Sequence, residues 1–418
     1  MRAYFRSIAG SLDLGNQTYN TLLFVVSIGF SVLMLKLVTS YLPPAEYGMY
    51  QYVLAMVGVA SITVMPGVGT ILSAYVAKGK HGVPRQLTNF SLKSGVLGLL
   101  FLASATVYEY AVAANGRAAA LMGCATLVFL PYSVYARYEA VLTGLQQFRE
   151  LLLVRTLLMG LQFLAAAIVL VMLRQDYVSF GTTMLTIQTV MYWQFYLLAA
   201  GRLRNDEISE GAVRHAVVVS GVDAGGTLLE PALQLYVNSA LGPSALGVFV
   251  VAKRIITQAG GIVKPLMKPL SIKLTREGRT THRRALIRLV PLALLLGVLQ
   301  YVCLLIGIAL LGPMILGPSY HVSLEYAKTF GFILFITPLY VLLGNYMVFE
   351  GRNRAWAASV FLEQGVRVVG YLAFVGSFGI IAIALVNVAS LAAQIALMMF
   401  VITFRRPATA MIPTVEQG

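Results

Sequence analysis

From residue 22 to residue 403 the chain is a succession of apolar runs of roughly twenty residues, separated by short polar turns. Crossing ~30 Å of hydrocarbon takes ~20 mostly apolar residues wound into a helix, because a helix satisfies its backbone hydrogen bonds internally. Twelve such runs can be placed, near 22–42, 48–66, 94–114, 118–136, 151–173, 178–200, 216–241, 245–268, 289–311, 329–349, 356–376 and 380–403. No polar stretch is long enough to supply a soluble domain, and only 11% of residues are charged. The expected fold is therefore an all-α membrane protein of about twelve transmembrane helices. The run after Arg2 and Arg6 is too long for a cleaved signal peptide and lacks an Ala-x-Ala exit, so it reads as a retained first span. Cys124 and Cys303 both fall inside spans, where a cysteine behaves as a small apolar side chain, and no disulfide is implied.

A net charge of +15 invites a nucleic-acid reading, and the placement of the charges removes it. With the N-terminus inside, twenty-one lysines and arginines fall in inner segments, whereas the outer loops hold only Arg117, Arg174 and Lys328. This positive-inside bias puts both termini in the cytoplasm with an even number of spans. The basic surface faces anionic lipid headgroups, so membrane lipids are expected partners and nucleic acid is not.

The two halves of the chain resemble each other. Val38, Ser40, Leu42, Pro44, Gly48, Ala60, Val64 and Pro66 recur as Val237, Ser239, Leu241, Pro243, Gly247, Ala259, Val263 and Pro265, all at a shift of 199. Pro131, Val141 and Gly144 recur as Pro338, Val348 and Gly351 at a shift of 207. A duplication of six spans accounts for both sets. Because six is even, the copies keep one orientation and form two parallel-repeat six-helix bundles, 1–203 and 204–418, around a central cavity.

Seven basic residues lie within spans or at their inner edges, where a midplane charge costs ~2.5–3.5 kcal/mol on the lenient insertion scale. Arg155, Lys264 and Lys268 are near enough to the inner surface to snorkel. Lys36, Lys253, Arg254 and Arg367 lie deeper and call for a partner or an aqueous cavity. Lys253, Thr257, Lys264 and Lys268 share one face of the eighth span, which makes a cationic stripe. Candidate substrate-binding residues are therefore Lys36, Lys253, Arg254, Arg367 and Lys264. The acids are fewer. Asp223 and Glu230 share a polar face of the seventh span, and they either neutralise those cations or titrate as ion-coupling groups. Glu363 stands four residues before Arg367, the favourable order for a helical ion pair. The excess of positive charge suits an anionic ligand such as a diphosphate headgroup, whose oxygens accept charge-assisted hydrogen bonds. Tyr132, Tyr135 and Tyr138 could stack on sugar rings or simply pack.

Signs of catalysis do not appear. His81, His215, His282 and His321 are scattered over loops without metal-ligand spacing, and there is no H-E-x-x-H, G-x-S-x-G or P-loop. No catalytic residue, metal or cofactor is expected.

The turn Leu42-Pro43-Pro44-Ala45-Glu46-Tyr47-Gly48 and its echo Leu241-Gly242-Pro243-Ser244-Ala245-Leu246-Gly247 resemble the turn between the first two spans of each half in Wzx-type polysaccharide flippases. Gly144-Leu145-Gln146-Gln147-Phe148 and Gly351-Arg352-Asn353-Arg354 look like the inner turns after the fourth and tenth spans of that family. The family belongs to the multidrug/oligosaccharidyl-lipid/polysaccharide exporter superfamily. The resemblance implies a bacterial inner-membrane flippase. It would move undecaprenyl-diphosphate-linked oligosaccharide to the outer leaflet by alternating access, alongside other polysaccharide-assembly proteins such as those that build O-antigen. An ion-coupled drug exporter of the same superfamily and a membrane-embedded glycan polymerase are the alternatives.

Overall fold

The structure is a computed structural model that describes residues 14–174, 176–261, 279–349 and 352–404. Among these residues the regular structure is entirely helical. In chain order the helices are α1 (Leu14–Tyr41), α2 (Pro44–Ala60), α3 (Val68–Ala77), α4 (Val83–Ala111), α5 (Gly116–Tyr135), α6 (Tyr138–Gly144), α7 (Phe148–Ala167) and α8 (Tyr177–Ala200). They continue with α9 (Ala212–Leu241), α10 (Pro243–Gly261), α11 (Arg279–Ile315), α12 (His321–Phe330), α13 (Ile333–Phe349), α14 (Asn353–Phe378) and α15 (Ile380–Phe404).

Each expected span falls on one of these elements as far as it is described, residues 262–268 of the eighth lying outside the described residues. Among the described residues eight helices are long and apolar enough to cross a membrane, and ten if each of two bent helix pairs is one span. The second of these pairs, Pro318–Phe330 with Ile333–Met347, bends by 46°. α8 and α10 coincide with the two other expected spans, but neither is among these ten. The protein is a multi-pass, all-α membrane protein.

The helices group into two compact units, Met1–Val251 with Gly312–Val322, and Ala252–Leu311 with Ser323–Gly418. These units follow packing, whereas the expected boundary after residue 203 follows sequence similarity. In the first unit Leu72 and Val76 of α3, Leu87 of α4, Tyr138 and Val141 of α6, and Phe195 of α8 share one buried cluster. The second unit buries Ala293 of α11, Leu342, Leu343 and Met347 of α13, and Met398 of α15. In lipid such helices gain little from hydrophobic burial and associate through close packing, which small residues permit.

The repeated turn shows how close that approach becomes. A Cβ placed on Gly48 would run into the carbonyl oxygen of Pro243, and one placed on Gly247 would run into the carbonyl oxygen of Pro44. The start of α2 and the start of α10 thus meet with no room for a side chain on either. The contact is reciprocal, as a two-fold relation between the two turns produces. The segment 312–322 closes over the same end of α1: the Gly317 amide donates to Thr39 Oγ1 at 3.3 Å and the Tyr320 hydroxyl to the Leu42 carbonyl at 3.0 Å.

One element departs from the sequence expectation. Residues 67–93 read as an inner loop leading into the third span, yet α3 lies within them. The helix of the second span tightens into a 3₁₀ turn at Ser61–Val64 and breaks at Met65, whose φ of 67° is left-handed. Pro66 has no amide to continue the ladder, so α3 starts afresh at Val68. The Gly67 amide donates to Ser220 Oγ of α9 at 3.1 Å, which anchors the break.

Candidate functional site

The candidate cations are distributed over both units. Lys36 stands exposed on α1 in the first unit. Lys253 and Arg254, on the part of α10 that belongs to the second unit, are each half-buried. Arg367 of α14 is the charged group that bears on Lys253, so two of the expected cations share one neighbourhood. Lys264 and Lys268 lie outside the described residues.

Arg367 is held by its own helix. Its guanidinium meets the Glu363 carboxylate at 2.5 Å, one turn earlier, and its Nε donates to Ser390 Oγ of α15 at 3.3 Å. The ion pair expected from the spacing is present, so Arg367 is a compensated charge. Ser359, Glu363, Arg367 and Tyr371 recur every four residues and therefore run down one face of α14. Opposite them on α15 stand Asn387, Ser390 and Gln394. The Tyr371 hydroxyl donates to Asn387 Oδ1 at 2.5 Å, and Gln394 Nε2 reaches Ser359 Oγ at 3.4 Å. The α14–α15 interface is a polar ladder inside an apolar unit. Tyr340 of α13 lies beside Glu363 and Arg367, which extends the ladder onto a third helix.

The acids of the seventh span lie on α9. Asp223 is exposed, and Glu230 is half-buried and accepts from Gln234 Nε2 at 3.2 Å. Both belong to the first unit.

The first unit also holds charges that the sequence reading placed elsewhere. Arg155, expected to snorkel, forms a bidentate pair with Glu139: Nε to Oε1 at 2.7 Å and a terminal nitrogen to Oε2 at 2.6 Å. Arg137, counted among the inner-loop cations, is only 8% exposed. It donates to Ser91 Oγ at 2.7 Å and to the Val64 carbonyl at 2.5 Å. It escaped the sequence reading because the apolar fourth span seemed to end at residue 136. The signal was that Ala140, Val141 and Leu142 follow immediately, which carries the buried segment one helix further.

The tyrosines of this region pack. Tyr138 is fully buried, with its ring centroid 5.7 Å from that of Tyr192 and 5.4 Å from that of Phe195. Tyr135 packs on Tyr196 at 5.2 Å.

No protein-family model matches the chain, and no curated protein does. Solved structures do. An inward-facing multidrug resistance MATE family transporter of the MOP superfamily superposes with a TM-score of 0.66 at 16% identity, over 89% of this chain and 93% of that one. Lipid II flippase MurJ, in an inward closed conformation, gives 0.68 at 9% identity, over 93% and 87%. The chain has the MATE–MurJ transporter fold. MATE in complex with MaD3S is similar as well, with a TM-score of 0.61 at 16% identity over 92% and 95%. Among the described residues, no cluster of histidine, cysteine, aspartate or glutamate is arranged to hold a metal ion.

Proposed function

We propose that this chain is a flippase that moves an undecaprenyl-diphosphate-linked oligosaccharide from the cytoplasmic to the outer leaflet of a bacterial inner membrane by alternating access. The observation that carries the reading is a half-buried ammonium, Lys253, next to Arg367 at mid-helix positions of a transporter fold. Cations kept in a membrane domain at such cost are functional by default, and an anionic headgroup is the ligand that rewards them. The similarity to a lipid II flippase supports a lipid-linked cargo. Lys36, Arg254 and Lys264 are proposed as further diphosphate-binding residues. Asp223 and Glu230 are proposed as the ion-coupling pair.

The same reading takes residues 1–203 and 204–418 as the two repeats, supported by the reciprocal Gly48–Gly247 contact. It places both termini in the cytoplasm, and it makes the chain a transporter that carries out no chemistry on its cargo. A drug exporter of the same fold is the second reading, favoured by the MATE neighbours. Depletion of the protein tests both: accumulation of one lipid-linked glycan on the inner leaflet is the expected result. An unchanged glycan pool together with drug sensitivity would replace the flippase reading with the exporter.

A further inference from the structure

A cavity of about 640 Å³ opens inside the first unit, where the second span breaks. Its wall comes from the break itself, the start of α3, and the stretch from Tyr132 to Thr143. Arg137 reaches this wall from a buried position and spends only two of its five N–H donors on the protein, on a serine and on a backbone carbonyl. Among the described residues no carboxylate pairs with it. The one acid of the cavity, Glu139, is already engaged bidentately by Arg155. The wall is therefore net positive at one point, and a buried guanidinium without a counter-charge is costly unless something anionic joins it.

Of the other polar groups around the cavity, Ser61 and Ser73 are engaged with backbone carbonyls, whereas Ser133 is not. Ser133 Oγ is buried and has no hydrogen-bond partner. Thr70 and Thr143 also line the cavity, with exposed side chains whose hydroxyls are open to a ligand. Gly69 and Thr70 sit in the first turn of α3, whose amides have no partner within the helix and whose dipole favours negative charge. A fork-shaped cation, spare hydroxyls and a helix start around one cavity match the needs of a tetrahedral oxyanion.

We propose that this cavity is a phosphate-binding site of the first unit, separate from the Lys253–Arg367 neighbourhood and independent of which cargo the chain carries. It lies at the far end of α2 from the Leu42–Pro43 turn, on the side that the charge distribution assigns to the cytoplasm. The phosphate comes either from a soluble phosphate or phosphate ester, or from the headgroup of an inner-leaflet phospholipid.

The test uses the intact protein carrying Lys36→Ala, Lys253→Ala and Arg254→Ala, which weakens the candidate cargo site, and reads the part of phosphate binding that variants of the cavity remove. Radiolabelled inorganic phosphate is titrated in detergent. In a second arm, retention of phosphatidic acid is counted by native mass spectrometry after extraction from phosphatidylcholine nanodiscs doped with it. Gly69 lines the cavity and has open space where a Cβ would stand, so a side chain can start there without strain, and Gly69→Leu should obstruct the cavity and weaken binding at least tenfold. Ser133→Ala removes a hydroxyl that is bonded to nothing and leaves folding intact; it should weaken binding severalfold. Arg137→Lys should retain weaker binding and Arg137→Ala none. Saturable binding in the first arm identifies a soluble source, and binding confined to the second identifies a headgroup. Absence of binding in both arms, or binding that Gly69→Leu and Ser133→Ala leave unchanged, overturns the proposal.

Discussion

Removal of the Glu363 charge separates a structural role for Arg367 from a role in holding cargo. Glu363→Gln keeps the shape of the side chain but leaves Arg367 with a serine hydroxyl for company and Lys253 as its charged neighbour. Loss of one partner from a buried ion pair costs about 3–5 kcal/mol. Here the side chains retain 26% and 11% of their exposure, so solvent screening lowers the expectation to about 2–3 kcal/mol. That is roughly a thirtyfold to 150-fold shift in the folding equilibrium. Unfolding in mixed detergent micelles, followed by helical circular dichroism, reads it directly. The double variant Glu363→Gln, Arg367→Met removes both charges and should recover most of the loss. Lys253→Met in the Glu363→Gln background should recover part of it by relieving the like charge. Export then divides the roles: if Arg367 also holds the diphosphate, the double variant regains abundance but does not transport. Stability of Glu363→Gln within about 0.5 kcal/mol of the parent would refute the reasoning, since that is the range of changes at unremarkable surface positions.

Three further outcomes are expected. Alanine at Lys36, Lys253 or Arg254 should abolish glycan export at normal protein abundance, and arginine in place of either lysine should restore part of it; normal export by all three alanine variants, measured as surface glycan, removes the binding-site assignment. The double variant Asp223→Asn, Glu230→Gln should make reconstituted transport insensitive to a proton or sodium gradient, and undiminished gradient-driven transport would exclude both residues from coupling. Gly48→Ala or Gly247→Ala should lower abundance sharply because the added methyl meets backbone, whereas Gly29→Ala, which meets open space, should be silent; equal abundance of the three on immunoblots contradicts the close approach described above.

Hydropathy alone located the eight to ten spans seen among the described residues, because in lipid the length of an apolar run and the hydrogen-bonding needs of its backbone leave few other solutions. The same signal was blind to α3. Val68–Ala77 is only ten residues long, and its start is set by a left-handed Met65 that no periodicity announces. Glu363 and Arg367 were legible as a pair because they are four apart on one helix. Ser359 and Tyr371 extend the same four-residue rhythm, but their partners Asn387, Ser390 and Gln394 come from another helix, whose register against α14 is a matter of packing. Arg137 was misplaced for a related reason: its acceptors, Ser91 and the Val64 carbonyl, lie 46 and 73 residues away. Charge counting treats such a residue as belonging to the nearest loop.

The glycine contact at the repeated turn has a consequence for how the chain can be divided. Each glycine supplies the space that the other's backbone occupies, so neither position can acquire a side chain while the other partner stays in place. A fragment that ends before Pro243 carries one such surface without its mate. Two copies of that fragment present each other with the same surface, and because the contact reads alike from either side, self-pairing is the outcome to look for when the halves are expressed apart.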